Sequence, residues 1–363
     1  MLTGASEFSG LTWPLGAHEY LTRFEASPMK KKLDDLLLAT TDVGSMPLQD
    51  DFDESRANYD RAIVDKVMVG LNFPCYPQLV GTTSKPMNMG LQYLIPLSKS
   101  NPNIQIKGQE VQLVSDEIEE PSNSIGVERT EHYVTYLREH NLVDRIRGTK
   151  ACVTGPFTLA SYLNSHNLFK CGASKPEVVR ALAKVLRRSC RRLGDLGFDW
   201  INIDEPFLAL MLGRGPKLMY EYDEHFVVEM LNMLIGEMPC LSAIHVCGTV
   251  TPMVKTVLLE SRADILDHEF TASPKNLQAY TRDDLERTGK FLAYGCISSS
   301  KLGIETVEEI SASVRKALDW FGPRIIMKPD CGFGGMPIGP ETYTTVLAKL
   351  RNMNAASRKL AAI

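Results

Sequence analysis

No stretch of about 18 or more consecutive apolar residues occurs in the 363-residue chain, so nothing in it reads as a membrane-spanning helix. The opening MLTGASEFSGLTWPLG has no basic start ahead of an apolar stretch, so no secretory signal is read there. Neither sign of charge dominates. The 40 Lys and Arg residues face 44 Asp and Glu, a formal net charge of −4, which excludes the cation surplus of the usual nucleic-acid binder. No GxGxxG follows the first β-rich run, which removes the fingerprint of a dinucleotide-binding fold. Internal repeats and low-complexity tracts are absent as well. What is present is an ordinary globular balance, 44% hydrophobic and 23% charged, enough apolar matter for a large core. Eight cysteines are spread along the chain. Without a signal peptide the expected compartment is the reducing cytoplasm, where a cysteine is buried, metal-bound or catalytic more often than bridged.

Short β-rich runs recur at 37–44, 71–76, 150–155, 200–206, 240–248, 263–270, 290–298 and 324–332. Segments of helical period lie between them, among them 55–70, 128–140, 176–197, 281–289, 306–322 and 341–361. Alternation of strand and helix implies a parallel sheet, and eight such units fit an α/β fold of the (β/α)8 TIM-barrel type; an open doubly wound sheet is the alternative. The expected division is an N-terminal extension over 1–36 and a catalytic barrel over 37–363. Residues 77–149 form a long insertion between strands two and three, of the kind that shapes a barrel mouth.

In such a barrel, functional side chains sit at the C-terminal ends of the strands. Strand five ends in His245-Val246-Cys247-Gly248, and period two puts His245 and Cys247 on one side. Both suit a borderline-soft metal, although a lone His or Cys at a strand end is more often packed or hydrogen-bonded. Strand six ends in Asp267-His268-Glu269, with Asp267 and Glu269 on one face and His268 on the other, toward the helices. Strand eight ends in Lys328-Pro329-Asp330-Cys331-Gly332. His245, Cys247, Glu269 and Cys331 together supply N, S, O and S donors, the composition expected for tetrahedral Zn²⁺. At the end of strand four Asp204 either binds a substrate ammonium or caps a helix. After strand one, Gly44 and Ser45 either hold a carboxylate or simply form a turn. Cys152, Cys190 and Cys240 read as core residues, Cys171 as a loop residue, and Cys75 and Cys296 as strand-end neighbours of the mouth.

The chain resembles the catalytic barrel of the cobalamin-independent methionine synthase family, in its short single-barrel archaeal-type form. The likeness runs through roughly 37–350 and rests on TTDVGS (40–45), VTGPFTLAS (153–161), INIDEP (201–206), HVCG (245–248), ADILDHEF (263–270), YGCISSSKLGIETVEEI (294–310) and KPDCGFGG (328–335). The resemblance implies one catalytic zinc on His245, Cys247, Glu269 and Cys331. It also implies an amino-acid substrate gripped by Gly44, Ser45 and Asp204, with Gln78 at the position of a residue after strand two that helps to bind it. Two features of the family's long form are not expected here. One is the N-terminal barrel; the other is a proton-donating His near the seventh strand end, where this chain reads Ser298-Ser299-Ser300-Lys301.

The implied reaction is methyl transfer to the thiol of homocysteine, giving methionine. The expected donor is methylcobalamin or a methyl-corrinoid protein, with a methyl-tetrahydropterin or folate as the alternative. Glu269 is expected to yield its place to the incoming thiol, while Cys247 and Cys331 stay. Asp204 and Glu269 are the expected catalytic carboxylates. Three other functions compete: methylation of another thiol such as coenzyme M, metal-free decarboxylation of the uroporphyrinogen type, and a non-enzymatic zinc-binding or corrinoid-docking module. No nucleic-acid or membrane partner is expected.

Overall fold

The computed structural model describes residues 35–47, 56–80, 89–107, 110–164, 170–212, 220, 222–337 and 339–362. The extension expected over 1–36 lies outside the described residues except for Asp35 and Leu36. Residues 38–363 form one compact unit.

In chain order the strands are β1 (Ser45–Pro47), β2 (Gln78–Val80), β3 (Ile104–Lys107), β4 (Glu110–Leu113), β5 (Lys150–Thr154), β6 (Trp200–Asp204), β7 (Leu241–Val246), β8 (Ile265–His268), β9 (Phe291–Ile297) and β10 (Ile325–Pro329). Strands β5 to β10 lie side by side in sequence order, every pair parallel. All their residues are buried, as expected of strands covered on both faces. Helices follow each of them, and their starts are written in the sequence. Thr281 and Thr306 close capping boxes with Asp284 and Glu309, and Pro156, Pro176 and Pro252 open helices where no N–H is needed. The helix Pro176–Asp195 turns Val179, Leu182, Ala183, Leu186, Cys190 and Leu193 inward and keeps its arginines in solvent.

The sheet closes into a barrel through 38–41 and 71–76, and here the structure departs from the expected strands. Neither segment is a regular strand. Each makes isolated parallel bridges: Thr40 with Met327, Thr41 with Phe73, and Cys75 with Lys150. Backbone bonds run from Leu38 N to Ile325 O, from Asn72 N to Thr40 O and from Tyr76 N to Lys150 O, so the ring β10, 38–41, 71–76, β5 is complete. Pro74 has no N–H to offer a ladder. Side chains stand in: Asn72 Oδ1 accepts from Thr40 N at 2.9 Å, and Asp42 Oδ1 accepts from Cys75 N at 2.8 Å. The regular pairing appears just beyond, where β1 runs parallel to β2.

The stretch expected as an insertion, 77–149, contains β2, the helix Leu91–Ser100, the antiparallel pair β3–β4 and the helix Glu128–Glu139. Among the described residues no helix is long and apolar enough to cross a membrane.

Lys66 secures the closure. Its side chain is fully buried, and its Nζ donates to Asp42 Oδ2 at 2.6 Å, to Gly44 O at 2.9 Å and to Cys75 O at 3.0 Å. Removing one partner of a buried pair strands the other charge. Lys66→Ala is expected to lower unfolding free energy by about 3–5 kcal/mol in urea titration. A loss below about 1 kcal/mol, the size of a surface pair, would show that the closure does not depend on it.

Candidate functional site

His245, Cys247 and Cys331 meet at one point. Their Nε2 and Sγ atoms all lie within 4.8 Å of one another. The two sulfurs are 3.5 Å apart, and His245 Nε2 is 3.0 Å from Cys247 Sγ and 3.6 Å from Cys331 Sγ. Tetrahedral zinc with Zn–S near 2.3 Å and Zn–N near 2.0 Å sets neighbouring donors about 3.6–3.8 Å apart. Two of the three separations match within a few tenths of an ångström; the third, His245 Nε2 to Cys247 Sγ at 3.0 Å, is about half an ångström shorter. The trio therefore fits a soft-metal site in both chemistry and spacing.

Glu269 stands beside this trio and outside its tight cluster. Its Oε2 accepts from Gly248 N at 3.1 Å and from Ser273 Oγ at 3.4 Å. The turn that carries it is fixed from below by Asp330, whose carboxylate accepts from Phe270 N (2.8 Å), Thr271 N (2.9 Å) and Ala272 N (2.7 Å). Gly295 leaves room for that carboxylate: a Cβ there would lie 2.4 Å from Asp330 Oδ1.

Strand register arranges the next row. Asp204, His245 and Asp267 are Cα partners across β6, β7 and β8. His245 Nδ1 lies 2.6 Å from Asp267 Oδ1, and Lys328 Nζ lies 2.7 Å from the same oxygen. Burial opposes charge on His245, but Asp267 outweighs it and the imidazole is pushed up to about 10. Burial likewise favours neutral Asp267, yet Lys328, His245 and Lys150 hold its carboxyl well below the usual range. The hydrogen bond between the thiols splits them: it lowers Cys331, with help from His245 and Lys328, and raises Cys247.

Asp204 is buried, accepts from Asn202 Nδ2 at 2.6 Å, and is pushed up to about 6 by burial. It caps no helix. That part falls to Glu205, which accepts from Phe157 N at 2.9 Å and Thr158 N at 2.8 Å. Gly44 has φ +115°, which only glycine adopts freely, and its N–H donates to Asp42 Oδ2 at 3.1 Å. Ser45 packs on the strand-eight loop; a Cβ at Gly332 would lie 2.4 Å from Ser45 Oγ. Gln78 Nε2 donates to Tyr76 OH at 2.9 Å and Cys152 Sγ at 3.1 Å, and a Cβ at Gly44 would lie 3.3 Å from Gln78 Oε1. The turn 44–45 thus adjoins Gln78 on one side and the residue after Cys331 on the other.

His268 faces away, buried between Val246 O and Tyr280 OH. Cys75 is buried 3.8 Å from Cys152, under the Gly44 turn. The residues that sequence reasoning passed over are charged ones inside apolar runs: Lys66, Lys150, Lys328, and Asp267 as a partner of His245. A lysine in KACVT or IIMKP was the available signal, since a buried ammonium needs a partner.

A family model described as "Cobalamin-independent synthase, Catalytic domain" matches residues 120–359. The methionine synthase of Methanothermobacter thermautotrophicus is 27% identical over 246 residues, 68% of this chain and 74% of that one. That of Methanocaldococcus jannaschii is 28% identical over 219 residues, 58% of this chain and 64% of its own. Among solved structures, a B12-independent methionine synthase from Shewanella sp. W3-18-1 in complex with selenomethionine superposes with a TM-score of 0.60 at 18% identity, covering 90% of this chain and 100% of that one. A methyltransferase from Methanosarcina mazei gives 0.56 at 15% identity, covering 84% and 86%. At such identities the two structures speak for the barrel fold alone.

Asp330→Ala leaves three backbone donors of the 270–272 turn without their acceptor. The expected cost is roughly 2–4 kcal/mol in urea unfolding, with faster amide exchange confined first to that turn. Unchanged exchange at Phe270, Thr271 and Ala272 would remove the clamp.

Proposed function

The chain belongs to the cobalamin-independent synthase catalytic-domain family, and from that premise we propose that it transfers a methyl group to the thiol of homocysteine, forming methionine. One observation carries the reading: a His–Cys–Cys trio at the ends of β7 and β10 stands beside a buried carboxylate and a glycine turn. His245, Cys247 and Cys331 would hold the zinc, with Glu269 as the fourth donor that a substrate thiol would replace. Zinc, when bound, keeps a thiol in its nucleophilic thiolate form at neutral pH, where a free thiol with a pKa near 8.5 is mostly protonated. With Cys247 and Cys331 as thiolate ligands such a centre would carry little net positive charge, so a substrate thiolate would keep its electron density.

The chain's own residues place the amino acid. Asp204 pairs with the ammonium, and Ser45 and the turn at Gly44 receive the carboxylate, with Gln78 bracing the turn. A sulfonate acceptor such as coenzyme M has no ammonium for Asp204. The family's description as cobalamin-independent weighs against the expected methyl-corrinoid donor and toward a methyl-tetrahydropterin or methyl-folate. The test is product formation by zinc-loaded protein given homocysteine or coenzyme M, each with methyl-tetrahydrofolate or methylcobalamin. Methionine from homocysteine supports the reading and identifies the donor. Methylation of coenzyme M alone overturns the acceptor.

Cys247→Ala and Cys331→Ala are each expected to lose zinc and turnover together. Glu269→Gln is expected to retain zinc with slower turnover. Metal analysis and rate on the same samples check this; full turnover in Glu269→Gln would contradict ligand exchange.

Asp204 adds a pH signature. Its charged form binds the ammonium, and burial pushes its pKa up to about 6. The KM for homocysteine is therefore expected to rise as pH falls below about 6, approaching tenfold per unit. In Asp204→Asn the KM should be high and flat with pH, with zinc content unchanged. An Asn variant with the wild-type KM profile takes Asp204 out of the site.

A further inference from the structure

We propose that Asp267 is a positioning residue for the metal, acting through His245, and that Lys328 and Lys150 hold the Asp267 side chain in place. The inference rests on the metal reading above. Four side chains carry it, all of them buried: His245, Asp267, Lys328 and Lys150. A carboxylate accepts hydrogen bonds and donates none, so Asp267 Oδ1, 2.6 Å from Nδ1, fixes the imidazole proton on Nδ1. Once Nε2 gives up its own proton, its lone pair would face the two sulfurs, where a metal would sit. Without that partner the ring has two tautomers, and only one of them presents Nε2 to a metal.

Two ammonium groups hold the Asp267 side chain against the imidazole. Lys328 Nζ is 2.7 Å from Oδ1, and Lys150 Nζ is at ion-pair distance, 3.7 Å, from Oδ2, an oxygen with no hydrogen-bond partner. Neither lysine swings freely. Lys150 lies over the Trp200 ring at 4.6 Å and donates to Asp42 O at 2.9 Å. Lys328 donates to Pro329 O at 2.9 Å and Asp330 O at 2.7 Å. Those carbonyls immediately precede Cys331. One ammonium therefore orients His245 through Asp267 and pins the backbone that carries Cys331.

The test compares zinc affinity of wild type, Asp267→Asn and Lys328→Met by competition with a chromophoric chelator. Thermal unfolding of each metal-free protein is measured alongside. A Co²⁺ titration followed at the thiolate charge-transfer band gives a second measure of ligation. Zinc binding by Asp267→Asn is expected to weaken about 10–100-fold, with Lys328→Met moving the same way, in proteins that remain folded. Equal affinity in a folded Asp267→Asn overturns the proposal. Failure of the wild type itself to bind zinc overturns the metal reading instead. Should the variants not fold, ¹⁵N NMR of histidine-labelled, zinc-loaded wild type decides: His245 protonated at Nδ1 supports the proposal, and a proton on Nε2 refutes it.

Discussion

The barrel depends on Asp42. Its two carboxylate oxygens and its carbonyl engage four separate points: Cys75 N, Gly44 N, Lys66 Nζ and Lys150 Nζ. Those contacts join the first stave to the second, to β5 and to the turn at 44–45. Six strands join by regular backbone pairing, but the last three gaps in the ring are closed only by isolated bridges, because Pro74 and the short bridges leave the ladder incomplete. The side chains of Asp42 and Asn72 supply acceptors there. The site inherits its geometry from this closure, since the Gly44–Ser45 turn leaves Asp42 directly and comes to rest against Gly332.

A second constraint follows from the first. A barrel interior that admits ions must balance them internally, as it has no solvent to do so. Asp42 with Lys66, and Asp267 with Lys328 and Lys150, are two such balanced sets. Lys150 belongs to both: its ammonium reaches the carbonyl of Asp42 and stands near the free oxygen of Asp267. The residue that helps close the ring is thus also part of the floor beneath the histidine.

Much of this could be read in the chain. The helix expected over 306–322 is Val307–Phe321 and that over 341–361 is Thr342–Ala361, because capping residues and apolar period mark their ends locally. Six of the eight β-rich runs match regular strands within three residues at each end. The two that do not, 37–44 and 71–76, are apolar enough for strands, but their pairing depends on Asn72 and Asp42 reaching across more than 30 residues, which no local pattern reveals. The His245, Cys247 and Cys331 meeting point follows from strand ends and period two. Asp267 as the histidine's partner does not, because it requires the register of β7 against β8. The approach of Glu269 to Gly248 N likewise depends on the turn that Asp330 fixes, three strands along the sheet from the HxC motif, which its spacing cannot specify.

Cys247 and Cys331 are separated by 84 residues in sequence, and β8 and β9 lie between their strands in the sheet. On the proposed metal reading, an ion held by both would be a cross-link as well as a reagent. Closing a loop of that length costs an unfolded chain on the order of 4–5 kcal/mol of entropy, the same quantity a disulfide of equal span removes. Metal supply and protein lifetime would then be linked through chain statistics: without the ion the chain would be looser, with more of its population open to proteolysis.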